Sequence, residues 1–382
     1  MSDENAKYGV SRKADFELWT GATMKKGKDI PVLRDVEFSV IKKWEPEADG
    51  YDWLHGVALA WHKDKLYASF GLNKGGENSK GELAAGLVSG DGGRTWGEPF
   101  KIAVPREDNL GISHGVFLSH KGDLRAFMGA FHGVRGRVHA RAYLLDEKSK
   151  EWIDRGIIVN DGFWPLQEPQ KMADGNWIMS GIRCVDTYGH PDNCAAVAIS
   201  KGDDFTRWKM IVIPLAAPVE RMWAESNVFL DGPRVINIAR YEQWNPHALA
   251  AASDDFGLSW TPSCHSNMPM TSSKPCTGTL STGQHYLINT TTADCDTKRF
   301  PLTIAVTRPG EAVFSEVFVI RHAESPGGPG ESNPQAALSY PYAVEHEGKL
   351  YAGYSNSGGR GGNRNSAELA IIPVSSLTMA PQ

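Results

Sequence analysis

The octet Ser89-Gly-Asp91-Gly-Gly93-Arg-Thr95-Trp96 recurs as Ser253-Asp-Asp255-Phe-Gly257-Leu-Ser259-Trp260, and no other feature restricts the fold of this chain as tightly. The shared pattern, S-x-D-x-G-x-[ST]-W, encodes a tight hairpin. Its Ser and Asp side chains satisfy turn amides, its Gly takes a positive φ, and its Trp tucks beneath the turn. A looser copy runs from Ser200 through Asp203, Asp204 and Thr206 to Trp208, and a more degenerate one ends at Trp152. The closing aromatics Trp96, Trp152, Trp208, Trp260 and Phe314 follow one another at intervals of 52–56 residues. Such regular spacing marks an array of equivalent supersecondary units.

Within each unit a short apolar strand precedes a Gly- or Asp-containing turn and a strongly β-prone second strand. The second strands start near Leu66, Leu124, Trp177, Val235, Tyr286 and Leu350, with the period-two alternation and β-branched or aromatic residues of sheet. Six such strands predict an all-β chain folded as a six-bladed β-propeller with four-stranded blades. Seven blades are the alternative if residues 1–36 hide strands such as Phe16-Glu-Leu-Trp19. The last blade, from about Tyr340 to Val374, lacks a fourth strand. The segment Glu37 to Trp44 resembles other fourth strands such as Phe100 to Val104, so the N-terminal region is expected to close the ring. The expected organisation is an extension at 1–36, one propeller at 37–376 and a tail at 377–382.

Composition agrees with this architecture. Forty Gly and 22 Pro spread along the chain supply many turns, and 41% apolar residues supply a core. The net charge of −5, with no basic run, argues against a nucleic-acid partner. No apolar stretch approaches membrane-spanning length. The polar start, MSDENAKYGV, lacks a signal core, so the expected location is cytoplasmic, or secreted or periplasmic if a signal has been removed. Five cysteines cannot all pair. Cys184 and Cys194 flank a hairpin that a bridge would fit, but mostly free thiols are favoured, and the lack of a CxxC pair opposes a zinc ribbon.

In such a ring the first strand of each blade starts, and the second ends, on one rim, and propeller ligands sit over the central channel. First-strand starts give His55, His114, Glu168, Glu225, Lys274 and Tyr340. Second-strand ends give Asn73 with Lys74, His132, Arg183, Arg240 with Tyr241, Asn289 and Asn356. Ionisable groups crowded on one wall repel or need partners, so their concentration here points to a ligand site.

The octet is the motif called the Asp box, and with it the chain resembles the sialidase superfamily. The stretch from Glu225 to Arg240 looks like that family's Glu-to-Arg segment, and Ser339-Tyr340-Pro-Tyr342 resembles its Tyr segment. The resemblance implies that Glu225 polarises a Tyr340 nucleophile and that Arg240 belongs to a triad clamping a substrate carboxylate. The chain departs from the pattern at the other two arginines, where His55 and, nearby, Lys274 stand. The family's acid Asp has no match, and Glu77 or Glu82 lies nearest. A second resemblance is to propeller-fold polysaccharide lyases of the rhamnose-glucuronate and ulvan type. It rests on Gly71-Leu-Asn73-Lys74-Gly-Gly-Glu77-Asn78, Leu54-His55-Gly56 and Ser113-His114-Gly115-Val116-Phe117.

A uronate lyase needs a cation to neutralise the carboxylate, a base near neutral pKa and an acid, and histidine is the natural base at pH 7. The expected catalytic set is His55, His114, His132, Tyr340 and Glu225. The expected substrate-binding set is Arg240, Lys274, Arg183, Tyr241, Lys74, Asn73 and Glu168. The favoured expectation is β-elimination on a uronate-containing glycan. A sialidase-like hydrolase using Tyr340 with Glu225, and a non-catalytic glycan-binding propeller, are the alternatives. The expected partner is an acidic oligosaccharide or polysaccharide. No spacing demands a cofactor, and a divalent metal such as calcium stays open because His and carboxylates share the funnel. The Gly358 to Arg364 run reads as a loop from which Arg360 or Arg364 would reach the funnel. Asn289 fits a glycosylation sequon but is expected to end a strand on the rim. His190 and Asp192, near Tyr188, are expected in a hairpin tip.

Overall fold

The computed structural model describes residues 15–20, 23–185, 193–217, 219, 223–242 and 246–378; the segment with Tyr188, His190 and Asp192 lies outside them. Strand β1 (Glu37–Lys42) comes first. Blade 1 then runs from the axis outward through β2 (Trp53–His62), β3 (Lys65–Asn73), β4 (Leu83–Ser89) and β5 (Phe100–Ala103). Blade 2 holds β6 (Leu110–His120), β7 (Asp123–His132), β8 (Gly136–Leu145) and β9 (Trp152–Val159). In blade 3 the inner strand is split into β10 (Phe163–Pro165) and β11 (Gln170–Lys171), both paired with β12 (Trp177–Arg183), and β13 (Cys194–Lys201) and β14 (Asp204–Val212) follow. Blade 4 comprises β15 (Ser226–Asp231), β16 (Arg234–Ala239), β17 (His247–Ser253) and β18 (Cys264–Pro269). Blade 5 comprises β19 (Cys276–Thr279), β20 (His285–Asn289), β21 (Leu302–Thr307) and β22 (Phe314–Arg321). Blade 6 is β23 (Leu338–His346), β24 (Lys349–Asn356), β25 (Ser366–Pro373) and the N-terminal β1.

The six-bladed ring and its closure agree with the sequence. Strand β1 pairs antiparallel with β25, from Glu37 opposite Ile371 to Lys42 opposite Ala367. The segment ahead of it adds no blade among the described residues. Phe16 bridges to Ser266, Trp19 to Phe314 and Val32 to Val319, so it runs along the outer strands of blades 4 and 5. Cys184, Cys264, Cys276 and Cys295 keep free thiols, so the bridge between Cys184 and Cys194 is not formed.

Burial explains the strand sequences. Strands β2 and β3 are buried along almost their whole length because each face packs on a neighbouring blade, so they read as apolar runs. Outer strands such as β14 bury only a few side chains, Phe205 and Trp208 there, since one face meets water.

Both full Asp boxes lie between third and fourth strands. Ser89 Oγ accepts from Gly93 N at 2.7 Å and donates to Asp91 Oδ1 at 2.8 Å, and Asp91 Oδ1 accepts from Thr95 N at 2.9 Å. The second box repeats this, with Gly257 N on Ser253 Oγ at 2.8 Å and Ser259 N on Asp255 Oδ1 at 2.8 Å. Gly93 and Gly257 have φ of 85° and 81°, where a side chain is strained.

The inner strands of blades 1, 2 and 6 each carry a one-residue bulge near their start. The residues His55–Ala58, Ile112–Gly115 and Ser339–Tyr342 each span three steps against two on the partner strand. A bulge re-aims side chains that regular alternation would bury against a neighbouring blade. Here it turns His55, His114 and Tyr340 towards the axis, and Tyr340 holds a φ of 53° to do so.

Asp91→Ala removes the acceptor that organises one Asp box and should lower stability by about 1–2 kcal/mol in urea unfolding. Hydrogen bonds from Thr95 and Ser89 hold the Asp91 carboxyl down to about 2. Its contribution is therefore present above pH about 4 and lost as pH falls through about 2. An unchanged urea midpoint at pH 7 would overturn the assignment.

Candidate functional site

The rim on which the inner strands begin encloses a cavity of about 260 Å³ over the channel. Its floor is a hydrogen-bonded trio. Tyr340 Oη donates to Glu225 Oε1, and Arg240 Nη1 donates to the same oxygen at 2.8 Å and to Tyr340 Oη at 3.3 Å. All three side chains are buried. Burial first, and the Glu225 charge second, raise the Tyr340 hydroxyl above the usual phenol range, so it loses its proton only to a base in contact. Glu225 is the carboxylate in contact with it, and its Oε2 is buried with no hydrogen-bond partner.

Arg240 is fixed by two further contacts. Its Nε donates to Ser272 Oγ at 2.9 Å, and its guanidinium lies 4.9 Å over the Trp223 ring. Arg299 donates from Nη2 to the Ser272 carbonyl at 2.9 Å, so one serine holds two guanidiniums in register. Burial and then the Arg240 charge lower the Arg299 pKa, which records the strain of placing like charges together. Arg135 reaches the same cavity from the β7–β8 turn, with Nη2 on Cys184 Sγ at 3.1 Å. Three guanidiniums facing one small cavity suit a carboxylate, which takes forked N–H pairs.

Two neutral histidines flank Tyr340. The His55 ring lies 3.9 Å from it and the His114 ring 6.0 Å, centroid to centroid. His55 Nδ1 meets Asn365 Nδ2 at 3.0 Å, while its Nε2 is buried without a partner. The amide N–H₂ is a donor, so His55 accepts at Nδ1 and carries its proton on Nε2. Burial, then His114 and the arginines, hold His55 well below the usual imidazole range, and burial takes His114 down to about 3. Glu77 stands at the open lip, with Asn363 Nδ2 donating to its Oε2 at 2.9 Å. Desolvation there raises its carboxyl despite that bond.

Of the residues expected from sequence, the structure brings His55, His114, Glu225, Arg240 and Tyr340 together in this cavity. It places the others elsewhere. Lys274 precedes β19 rather than starting it, and its Nζ donates to the Pro341 carbonyl at 2.6 Å behind the wall. Glu168 sits in the gap between β10 and β11, well past the strand start, and lines a second cavity of about 390 Å³ at the far mouth. His132 ends β7 beside His139, with ring centroids 5.9 Å apart. Tyr241 is buried edge-on to His265, and Arg183 is half-buried at the end of β12. Lys74 is exposed, while Asn73 organises the β3–β4 loop through bonds to Gly75, Gly76 and Ser79. Asn289 is buried and donates to the Ser273 carbonyl at 3.1 Å. Arg360 pairs with Glu331 and Arg364 with Asp52, leaving Asn363 as the residue of that loop on the cavity.

The residues that strand-end counting missed share one origin. Arg135, Arg299 and Asn363, like Glu77 and Asn78, occupy loops between second and third strands, which open on the same rim. Reading those loops for cations would have found both arginines. Among the described residues no three His, Cys, Asp or Glu side chains are placed to hold a metal, and no helix is long and apolar enough to cross a membrane.

Residues 88–352 match the BNR repeat-like domain. The chain is a BNR-repeat propeller of the sialidase-like superfamily. Solved structures agree with the propeller fold at low identity. A protein of unknown function from Dyadobacter fermentans aligns over 90% of this chain and 99% of its own, at 15% identity and a TM-score of 0.67. The NanB sialidase of Streptococcus pneumoniae aligns over 89% and 71%, at 10% identity and a TM-score of 0.67. The intramolecular trans-sialidase of Ruminococcus gnavus aligns over 87% and 97%, at 11% identity and a TM-score of 0.62. No curated protein matches the sequence.

The depressed histidines give this BNR propeller a testable pH signature. A base whose folded pKa is lowered takes up its proton first in the unfolded chain. The stability due to neutral His55 and His114 is thus present above pH about 6.5 and lost as pH falls, at up to about 1.4 kcal/mol per pH unit for each. Urea unfolding between pH 7 and 5 should show that fall, and His55→Gln should flatten it. An identical slope in the variant would contradict the assignment.

Proposed function

We propose that this chain is a glycan-cleaving enzyme that hydrolyses the bond to a terminal acidic sugar, with Tyr340 as nucleophile and Glu225 as its base. The observation that carries the reading is the Tyr340–Glu225 hydrogen bond beneath three guanidiniums. Arg135, Arg240 and Arg299 hold the sugar carboxylate and so fix the anomeric carbon over Tyr340 Oη. As Oη bonds to that carbon, its proton passes to Glu225 and the glycosidic C–O bond breaks. Glu77 gives a proton to the departing oxygen. Water then attacks the same carbon, Glu77 takes a proton from it, and Tyr340 leaves and recovers its own from Glu225. Two displacements retain the anomeric configuration. The phenol is neutral until it reacts, so it approaches a carbon beside a carboxylate without repulsion.

The NanB sialidase and the Ruminococcus gnavus intramolecular trans-sialidase support the class of reaction as analogy, since fold alone does not fix function. One observation favours a second reading. His55 Nε2 is buried and partnerless beside Tyr340, and as an N–H it would stabilise the leaving oxygen in β-elimination on a uronate. Products separate the two. Hydrolysis of a rhamnosyl-glucuronate or sialyl oligosaccharide releases reducing sugar with no new absorbance. Elimination produces a conjugated unsaturated uronate, and binding without either product makes the chain a lectin.

Under the hydrolytic reading, Glu77→Gln should lower kcat by about 10²–10⁴ on a natural glycoside with KM nearly unchanged. Aryl glycosides with good leaving groups should be much less affected, because they need little protonation. Tyr340→Phe should abolish turnover on both, and full activity in Tyr340→Phe would reject the nucleophile.

A further inference from the structure

We propose that the far mouth of the channel, around Glu168, is a second ligand site, and that it takes a small organic ammonium ion. This site is separate from the arginine-lined cavity and does not depend on the reaction proposed there. Glu168 supplies the counter-charge, and the rings of Trp61, Tyr286 and Tyr342 supply the wall.

The site begins with a break written into the sequence. Pro169 follows Glu168 directly and has no N–H for a ladder bond. The inner strand of blade 3 stops at Pro165 and resumes at Gln170, which leaves Glu168 in the gap. Both flanks of the gap are pinned. Gln167 Nε2 donates to the Val228 carbonyl at 2.7 Å and to the Thr277 carbonyl at 2.9 Å, and its Oε1 accepts from Val228 N at 2.7 Å. Gln170 Nε2 donates to the same Val228 carbonyl at 3.0 Å. These bonds tie the segment to the inner strands of blades 4 and 5 and hold Glu168 on the cavity of about 390 Å³.

The carboxyl so held has neither a hydrogen bond nor an ion pair among the described residues. No Lys, Arg or His among them lines the cavity, and the other titratable groups on its wall are Cys276, Tyr286, Tyr342 and Glu345. Glu345 is already engaged, because it accepts from Ser281 N at 2.7 Å. Lys274 lies 5.8 Å from the Tyr342 ring centroid, and its Nζ is spent on the Pro341 carbonyl. Tyr342 is 4% exposed, and its Oη has no hydrogen-bond partner. The Trp61 ring is backed by His346, stacked at 4.0 Å.

A carboxylate withdrawn from water is unfavourable unless a cation reaches it. Burial pushes the Glu168 carboxyl up to about 8, so at neutral pH it keeps its proton until a cation displaces it. The described residues offer no cluster of ligands for a metal ion there. An alkylammonium head needs none: its charge meets the carboxylate and its methyl groups meet the ring faces. The volume suits a ligand of that size.

The test compares choline with its neutral isostere, 3,3-dimethylbutan-1-ol, by calorimetry on the full chain. At pH 8 choline should bind about ten- to thirtyfold more tightly than the isostere. Its affinity should rise by up to about tenfold per pH unit from pH 6 to 8 and then level off, because Glu168 must ionise to receive it. At pH 7 binding should release about one proton, read from the dependence of the heat on the buffer. Glu168→Gln should abolish both the preference for choline and the proton release, while the isostere binds as before. D-glucuronate should not displace choline. Absence of choline binding, equal affinity for the two probes, a preference that survives Glu168→Gln, or displacement by D-glucuronate each overturns the second site.

Discussion

Antiparallel pairing of Glu37–Lys42 with Ser366–Pro373 holds the whole ring in register, because blade 6 has no other outer strand. The seam it closes lies directly beside the site. Asn365, at the head of β25, donates to the Leu54 carbonyl at 2.8 Å and to His55 Nδ1, and Leu54 N donates to the Asn363 carbonyl at 3.2 Å. The last blade therefore orients a histidine of the first. Trp44 N reaches Ser366 Oγ at 3.0 Å, so the chain's approach to blade 1 is anchored on the same strand. Tyr340 on blade 6, His55 on blade 1 and Glu225 on blade 4 share a cavity only because the seam is shut.

The cavity gathers three guanidiniums around one buried carboxylate. Glu225 compensates Arg240 through a buried pair, and removing either partner would leave an isolated charge at a cost of about 3–5 kcal/mol. Arg299 and Arg135 bring two more guanidiniums to the same cavity. Their mutual repulsion with Arg240 is tolerated by the scaffold: Ser272 grips two guanidiniums, Trp223 spreads over one, and Cys184 meets the third. Under the proposed reading, a sugar carboxylate would lower the energy of all three at once in a site already arranged for it.

The fold was written plainly in the sequence because its signals are local. The octets specify turns through their own side chains, and the six second strands carry their own alternation. The orphan strand at 37–44 was legible by comparison with Phe100–Val104. The site was half legible. Tyr340, Glu225 and Arg240 follow from the resemblance, and His55 and His114 from strand position. Lys274 and Glu168 were misplaced because blade 5 begins its inner strand at Cys276 and blade 3 breaks its inner strand before Gln170. A shift of one or two residues at a strand start turns a side chain from the funnel into the wall. Arg135 and Arg299 were missed because loops have no period to read, and only the finished ring brings them over one point.

The site thus has two kinds of support. Tyr340, His55 and His114 are carried by bulges inside hydrogen-bonded strands, where most replacements disturb the sheet itself. Arg135, Arg299 and Glu77 ride on loops between strands. A replacement in one of those loops would change the charge over the cavity while the ring beneath it keeps its pairing.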